Sequence, residues 1–381
     1  MQGYNEYELG DLLEYEQPTA YIVESTDYSD SYSVPVLTAG KSFILGYTNE
    51  TDGVFDKTPV IIFDDFTTAT QYVNFPFKVK SSAMKILHIN TDLVLPKYIF
   101  YRMQIIQFDH STHKRYWIQQ YSKIKVSIPP IPEQERIVAR IEELFPQLDA
   151  GVETLKKTKA QLAVYRQSVL KDAFEGDYPK KQLKEFSKAI SGFAFKSNRY
   201  SPDGNYIVVK IGNVKERHFD FSRDLTKTLE ADDSILEKYL LQRGDCLITL
   251  TGSRGKRDYG FVAMIGDQNN YLLNQRVAAL RFDQSVALPE FFQYYLASPS
   301  YRDMFFSYET GNVGQGNVGI KALLDPYVIL PDIVTQKRIV ENVEARLSVC
   351  DSIDQTIDMA LQQAEAMRQS ILKDAFEGKL M

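Results

Sequence analysis

One phrase occurs twice in this chain. Residues 166–176 read RQSVLKDAFEG and residues 368–378 read RQSILKDAFEG, differing only at Val169 and Ile371. The offset of 202 residues holds backwards without a gap. Gln134, Arg136, Ile137 and Val138 become Gln336, Arg338, Ile339 and Val340, and Glu142 and Asp149 become Glu344 and Asp351. Residues 126–176 therefore recur as 328–378 with about twenty identities. Two copies are too few for a solenoid, which needs about three repeats to bury a continuous core. A tandem duplication with a pseudo-twofold axis is the better expectation, with the order variable half, helical segment, variable half, helical segment.

Each repeated segment reads as a long helix. Pro129, Pro130 and Pro132 end what precedes, and Glu133 and Glu135 suit the positive end of a helix. Ile141, Leu148, Leu155, Leu162 and Val169 recur every seven residues, with Leu144, Val152 and Tyr165 alongside, which predicts a coiled-coil seam. Pro146 is expected to kink or split this helix near Phe145, and Gly176 with Pro179 to stop it. The second copy spans about Thr335 to Glu377, with Leu347, Ile353, Ile357, Leu361, Met367 and Ile371 as its apolar face. Here Val334, Thr335 and Lys337 replace Pro132, Glu133 and Glu135, which predicts a weaker start.

The expected organisation is 1–128 and 180–330 as globular halves of mixed α and β, with helical segments at 129–179 and 331–381. The fold class is α+β, with the two helices packed as an antiparallel coiled coil. In the first half, 34–37, 43–47, 59–63, 75–80 and 84–89 read as strands, 67–71 as a polar loop and 96–107 as a helix. In the second, 206–211, 245–250 and 277–282 read as strands and 290–296 as a helix opened by Leu288-Pro289. That opening matches Leu95-Pro96 in the first half.

Net charge is −6, which argues against nucleic acid until it is divided: residues 180–330 carry 20 basic and 17 acidic side chains, so the acid surplus lies elsewhere. Two cysteines, Cys246 and Cys350, cannot build a disulfide framework, and Cys350 falls on the apolar stripe of the second helix. No stretch reaches 18 apolar residues and the N-terminus has no signal-peptide pattern, so the expectation is a cytoplasmic protein that does not enter a membrane.

Catalytic constellations are missing. His88, His110, His113 and His218 make no metal-binding pattern, and Asp64-Asp65 lacks the partners of a nuclease site. Gly314, Gly316 and Gly319 match G-x-G-x-x-G, yet no strand leads into them and no βαβ unit surrounds them. The candidates that remain suit a polyanion. Thr251–Asp258 reads TGSRGKRD and sets Arg254, Lys256 and Arg257 around glycine. Glycine lets backbone approach phosphate, and Arg can fork onto guanine O6 and N7. Asn274, Gln275 and Arg276 rank next, since amides pair with adenine edges. Lys196, in a turn flanked by aromatics, and Gln315, in a glycine-rich loop, complete the second half. In the first half the candidates are Lys41, Thr67, Thr68, Thr70, Gln71, Lys78, Lys80, Lys114 and Arg115. Simple alternatives stand beside all of these: a solvated charged loop, or a flexible glycine-rich one.

PPIPEQERIV at 129–138, the repeated LKDAFEG and the alternation of variable halves with similar helices resemble the specificity subunit of type I restriction–modification systems. The resemblance covers essentially the whole chain, although the variable halves offer no residue-by-residue match. It implies that each variable half is a target recognition domain, that the two helices separate them, and that the target is a bipartite duplex with a non-specific gap. It further implies two modification subunits, which methylate adenine with S-adenosylmethionine, and restriction subunits, which use ATP and Mg. No cofactor is expected in this chain. The rival readings are a self-contained DNA methyltransferase or nuclease, and a coiled-coil adaptor without DNA affinity. The duplication argues for recognition independently, because two domains related by a twofold can each read one half of a duplex site. Their different sequences predict different half-sites.

Overall fold

A computed structural model describes residues 4–40, 42–110, 115–228, 232–312 and 314–380. Lys41, His113 and Lys114 lie outside the described residues. The chain forms two units, Met1–Lys156 with Asp358–Met381, and Lys157–Ile357.

The first unit contains strands β1 (Leu13–Glu16), β2 (Val34–Leu37), β3 (Ile44–Thr48), β4 (Val60–Asp64), β5 (Thr70–Val73), β6 (Lys78–Val79) and β7 (Met84–Ile89). An antiparallel sheet runs in the order β1-β7-β4-β5, and a second runs β3-β2-β6 with β2 and β6 parallel. The alternation of β4 explains the layering. Ile61 and Phe63 join Leu13, Leu87, Tyr98 and Ile99 on the helix-covered face, while Val60 and Ile62 join Leu37, Phe77 and Val79 between the sheets. Both faces are buried, so β4 reads as an unbroken apolar run. Three expectations need correcting. Thr70 and Gln71 belong to β5 rather than a loop; β5 is an edge strand, where polar side chains are tolerated. The strand expected at 75–80 shrinks to Lys78–Val79. The helix expected over 96–107 is α1 (Pro96–Met103).

The second unit contains β8 (Ser187–Ser191), β9 (Tyr206–Val209), β10 (Lys227–Thr228), β11 (Cys246–Thr249), β12 (Val262–Met264), β13 (Tyr271–Leu273) and β14 (Val277–Phe282). Its sheets run β8-β14-β11-β12 and β10-β9-β13, with β9 and β13 parallel. Order and direction match the first unit strand for strand. Each half is also closed by its own ends, Asn5–Glu8 pairing with Lys125–Ile128 and Lys180–Gln182 with Tyr327–Ile329. Two largely different sequences thus fold alike.

The repeated segments form α2 (Ile131–Ala173) and α4 (Ile333–Phe376), and α3 (Pro289–Ala297) is the counterpart of α1. Pro146 does not split α2; its ring sits on the exposed side, where the lost amide bond displaces no core side chain. Asp332 repairs the weaker start of α4, its carboxylate accepting from the Thr335 N–H and hydroxyl at 2.9 Å each.

Gln134 and Gln336, fully buried repeat partners, fasten the helix starts to their domains. The Gln134 carbonyl accepts from the Leu95 N–H at 2.7 Å, and its amide donates to the Leu93 and Pro129 carbonyls at 3.1 and 2.9 Å. Gln336 does the same with the Leu288 N–H, Val286 and Pro331 at 2.8, 2.8 and 2.7 Å. The repeated phrase at each helix end supplies a second attachment. In the first unit Phe376 of α4 packs edge-on against Tyr98 of α1, centroids 5.2 Å apart; in the second, Phe174 of α2 meets Phe291 of α3 at 5.3 Å.

Within the second unit the helices run antiparallel. Lys159 pairs with Asp354 at 3.4 Å, Arg166 with Asp351 at 2.6 Å, and Asp172 with Arg346 at 3.8 Å. Repeat symmetry places the counterpart of the Arg166–Asp351 pair in the first unit, where Arg368 pairs with Asp149 and lies over the Phe145 ring at 4.2 Å. The predicted seam is off in phase at three residues. Tyr165, Ile353 and Met367 are exposed, at 47%, 41% and 55%. Arg166, Asp354 and Arg368 take inward-facing positions because ion pairs across the seam satisfy them. Cys350 is buried, as expected of a core residue.

Candidate nucleic-acid interface

Asp65, immediately after β4, is a backbone hub. Its N–H donates to the Ala83 carbonyl at 3.1 Å, and its carbonyl accepts from the Tyr116 N–H at 2.9 Å. Leu250, immediately after β11, repeats the arrangement: its N–H donates to the Arg276 carbonyl and its carbonyl accepts from the Val318 N–H, both at 2.9 Å. Each hub ties three segments distant in sequence into one edge. They are the turn leaving the central strand, the turn between the last two strands (β6–β7 and β13–β14), and the loop returning after the domain helix.

In the first unit, the Asp64 carboxylate accepts from the Phe66 and Thr67 N–H groups at 2.9 Å each and folds the β4–β5 turn. Thr68 sits there at φ 56°, a costly conformation for a β-branched residue. Its hydroxyl is 2.9 Å from His110 Nε2, which also contacts the Thr67 carbonyl at 3.0 Å. Asp65 is buried, its carboxylate accepting from the Trp117 N–H at 2.8 Å and pairing with buried Lys85 at 3.6 Å. The Asp64-Asp65 pair is therefore turn and core architecture. The edge presents Phe66, Thr67, Thr68, Lys80 and Arg115, with Thr70 and Gln71 half-buried on β5. Lys78 does not join them: it is 3% exposed, donates to the Asp52 carbonyl at 2.6 Å and pairs with Glu50 at 2.9 Å.

In the second unit, Thr251–Gly252 pairs antiparallel with Gly316–Asn317, joining the two glycine-rich loops into one ribbon. A Cβ on Gly252 would lie 2.5 Å from the Asp258 carboxylate and one on Gly316 2.3 Å from that of Glu309, so a side chain at either position would displace these carboxylates. Hydrogen bonds from Ser253, side chain and then backbone, hold the Asp258 carboxyl below its ordinary range. The three cations of this loop differ. Arg254 donates to the Gly311 carbonyl at 2.8 Å. Arg257, at φ 53°, pairs with Asp303 at 2.6 Å and stacks over Phe306. Lys256 is exposed with no ion pair among the described residues. Asn274, Gln275 and Arg276 form the adjoining turn, with Arg276 at φ 68°. The Gln275 N–H donates to the Phe193 carbonyl at 2.9 Å, which brings in the turn leading to exposed Lys196. Gln315 is exposed beside the ribbon.

Candidates scattered over about 120 residues of sequence in the second half thus share one edge. Three of the four non-glycine residues with positive φ among those described, Thr68, Arg257 and Arg276, lie on these two edges. Phe66 and Asn317, which the sequence did not single out, are also exposed on these edges; a large apolar residue in an otherwise polar turn was the available signal for Phe66. Among the described residues no group of three or more His, Cys, Asp or Glu could hold a metal ion. No described helix is long and apolar enough to cross a membrane.

Two domains of one topology, each presenting a loop edge and each fastened to long helices, define a duplicated architecture. The model of the type I restriction modification DNA specificity domain matches residues 1–163 and 175–363, and the chain belongs to that family. It is 44% identical over 196 residues to the specificity subunit of the type I restriction enzyme EcoR124I/EcoR124II of Escherichia coli, covering 48% of each chain. Against the EcoKI specificity subunit of Escherichia coli strain K12 the identity is 28% over 280 residues, 68% of this chain and 58% of that one. The chain spans about half the length of these curated relatives. A solved structure from work on complex assembly and conformational transition of the type I R-M system superimposes with a TM-score of 0.72 at 17% identity. It covers 100% of this chain and 99% of that one, and the likeness is one of fold.

Proposed function

We propose that this chain is the DNA-recognition subunit of a type I restriction–modification enzyme. Each domain reads one half of a bipartite duplex target through its hub-bound loop edge. Two modification subunits supply S-adenosylmethionine and methylate adenine at that target, and restriction subunits supply the ATP- and Mg-dependent cutting. The chain directs this chemistry and performs none of it. The observation that carries the reading is the matched pair of hubs at Asp65 and Leu250. They bring Thr67, Thr68, Lys80 and Arg115 of the first domain, and the Arg254–Arg257 loop, the Asn274–Arg276 turn and Gln315 of the second, each to one edge, residue types that contact phosphates and base edges.

The test is to co-express the chain with its modification subunits and map methylated adenines across a host genome. The expected result is one bipartite motif, lost when Arg254, Lys256 and Arg257 are all replaced by alanine. The single change Lys256→Ala should weaken binding to all duplexes alike and flatten the salt dependence by about one phosphate contact. Methylation or cutting of DNA by the purified chain alone would overturn the reading in favour of a self-contained enzyme.

A further inference from the structure

The two hubs align the domains residue by residue where their sequences cannot be aligned. Asp65 corresponds to Leu250, because each donates to the turn between the last two strands and accepts from the returning loop. Tyr116 then corresponds to Val318, and the residues flanking the shared bond follow. Phe66 occupies the place of Thr251, and Arg115 the place of Asn317. In the second unit these two flanking positions face each other across an antiparallel pair, Thr251↔Asn317.

We propose that this flanking pair is the base-reading position of each domain, with Phe66 contacting a thymine methyl in one half-site and Asn317 pairing with an adenine in the other. The inference rests on the function proposed above and assigns the two specificity contacts. Phe66 is 44% exposed on a turn whose backbone is tied down by the Asp64 carboxylate and by Asp65. An aromatic ring held in water on a rigid tip contributes nothing to the core; on DNA, an apolar side chain is what distinguishes the thymine methyl in the major groove. Arg115 beside it offers the fork that suits guanine or phosphate. Asn317 is exposed, and its backbone is held on both sides: its N–H donates to the Thr310 carbonyl and its carbonyl accepts from the Thr310 N–H, both at 2.8 Å. Its side-chain amide makes no hydrogen bond among the described residues, leaving donor and acceptor for the N7 and N6 edge of adenine. Rigid backbone with a free side chain is the condition for reading a base at little ordering cost. The chemistries at the two positions differ, as unlike half-sites require.

The experiment uses the full chain co-expressed with its modification subunits, comparing Phe66→Ala, Phe66→Leu, Asn317→Ala and the parent by genome-wide mapping of methylated adenines. Phe66→Ala should relax one thymine-containing position of one half-site by about 10- to 100-fold, with the other half-site unchanged. Phe66→Leu, which keeps an apolar tip, should retain that preference in weakened form. Asn317→Ala should relax one adenine-containing position of the opposite half-site. Variants that keep the parent motif would overturn this assignment while leaving the proposed function standing, since the parent's bipartite motif is the control for that function. Loss of assembly with the modification subunits would overturn it too, marking these residues as a protein contact. Uniform loss of methylation by an assembled complex would reduce them to general DNA contacts and likewise defeat the assignment.

Discussion

Gln336→Leu isolates the attachment between a helix and its domain. Leucine is close to glutamine in size and apolar, so the cavity term is small and the hydrogen bonds are the main loss. Three backbone groups lose their partner: the Pro331 carbonyl, whose bond is buried, and the Leu288 N–H and Val286 carbonyl, whose bonds are part-buried, so the lower end of the range applies. A buried group left unpaired costs about 1–3 kcal/mol. The lower figure, applied three times, gives about 3 kcal/mol. For a unit of 150–250 residues, 1 kcal/mol lowers Tm by about 2–4 °C, so the unfolding transition of the second unit should fall by about 6–12 °C. Scanning calorimetry of the full chain measures this. Gln134→Leu should lower the transition of the first unit by a similar amount, because its three bonds are the same in kind. Both glutamines are fully buried, so the methylation motif of the assembled complex should not change with either substitution. A shift below about 2 °C, or an altered motif at unchanged Tm, would refute the argument that these residues act as fasteners.

Phe174→Ala removes a buried ring that packs against both Phe291 and Tyr295. It should cost about 3–5 kcal/mol by urea denaturation, more than Phe376→Ala, whose ring is only partly buried. A double-mutant cycle on Arg166 and Asp351, about a quarter and half exposed, should return a coupling of at most about 1 kcal/mol that shrinks in high salt. A salt-independent coupling above about 2 kcal/mol would mean that the seam is drier than its exposure indicates. Hydrogen bonds from the Thr335 N–H and hydroxyl hold the Asp332 carboxyl below its ordinary range. That stability is present above the unfolded carboxylate pKa near 4 and is lost as pH falls through the lower folded value. Asp332→Asn should therefore leave Tm nearly unchanged at neutral pH and flatten its decline below about pH 4.

The repeat made the helices legible, since a register held over fifty residues reports fold directly. It also held a correction that apolar spacing hid. An offset of 202 pairs Tyr165 with Met367, and both turn out exposed. The heptad of Ile141, Leu162 and Val169 is buried, but Tyr165, Ile353 and Met367 yield their inward places to the neighbouring Arg166, Asp354 and Arg368, which are satisfied by partners on the other helix. The likeness of the two domains was legible as mixed α and β content and a shared Leu-Pro helix opening, but the common strand order was not, because β-sheet order is enforced by backbone bonds and by alternation that many residues satisfy. The hubs show this most sharply: a charged Asp65 and an apolar Leu250 make the same two backbone bonds. Lys78 looked like a surface cation because nothing local marks the Asp52 carbonyl and Glu50 as its partners. The loops were legible as glycine-rich and basic, but their convergence depends on pairings between Thr251 and Asn317, 66 residues apart.

The second unit is one continuous stretch of chain, Lys157–Ile357, while the first is completed by Asp358–Met381. This imposes an order on synthesis. The second unit has every residue it needs when Ile357 has been made. The first unit, begun earlier, must wait for Leu372, Ala375 and Phe376, which join Tyr98, Ile137 and Ile141 in its core. Until then the newborn chain carries an uncovered apolar face, the kind of surface on which partly made proteins aggregate or recruit chaperones. The first unit, though begun first, is the last to have all of its residues. A ribosome paused near residue 350 holds a first unit that is still open, and a stop codon there leaves it open permanently.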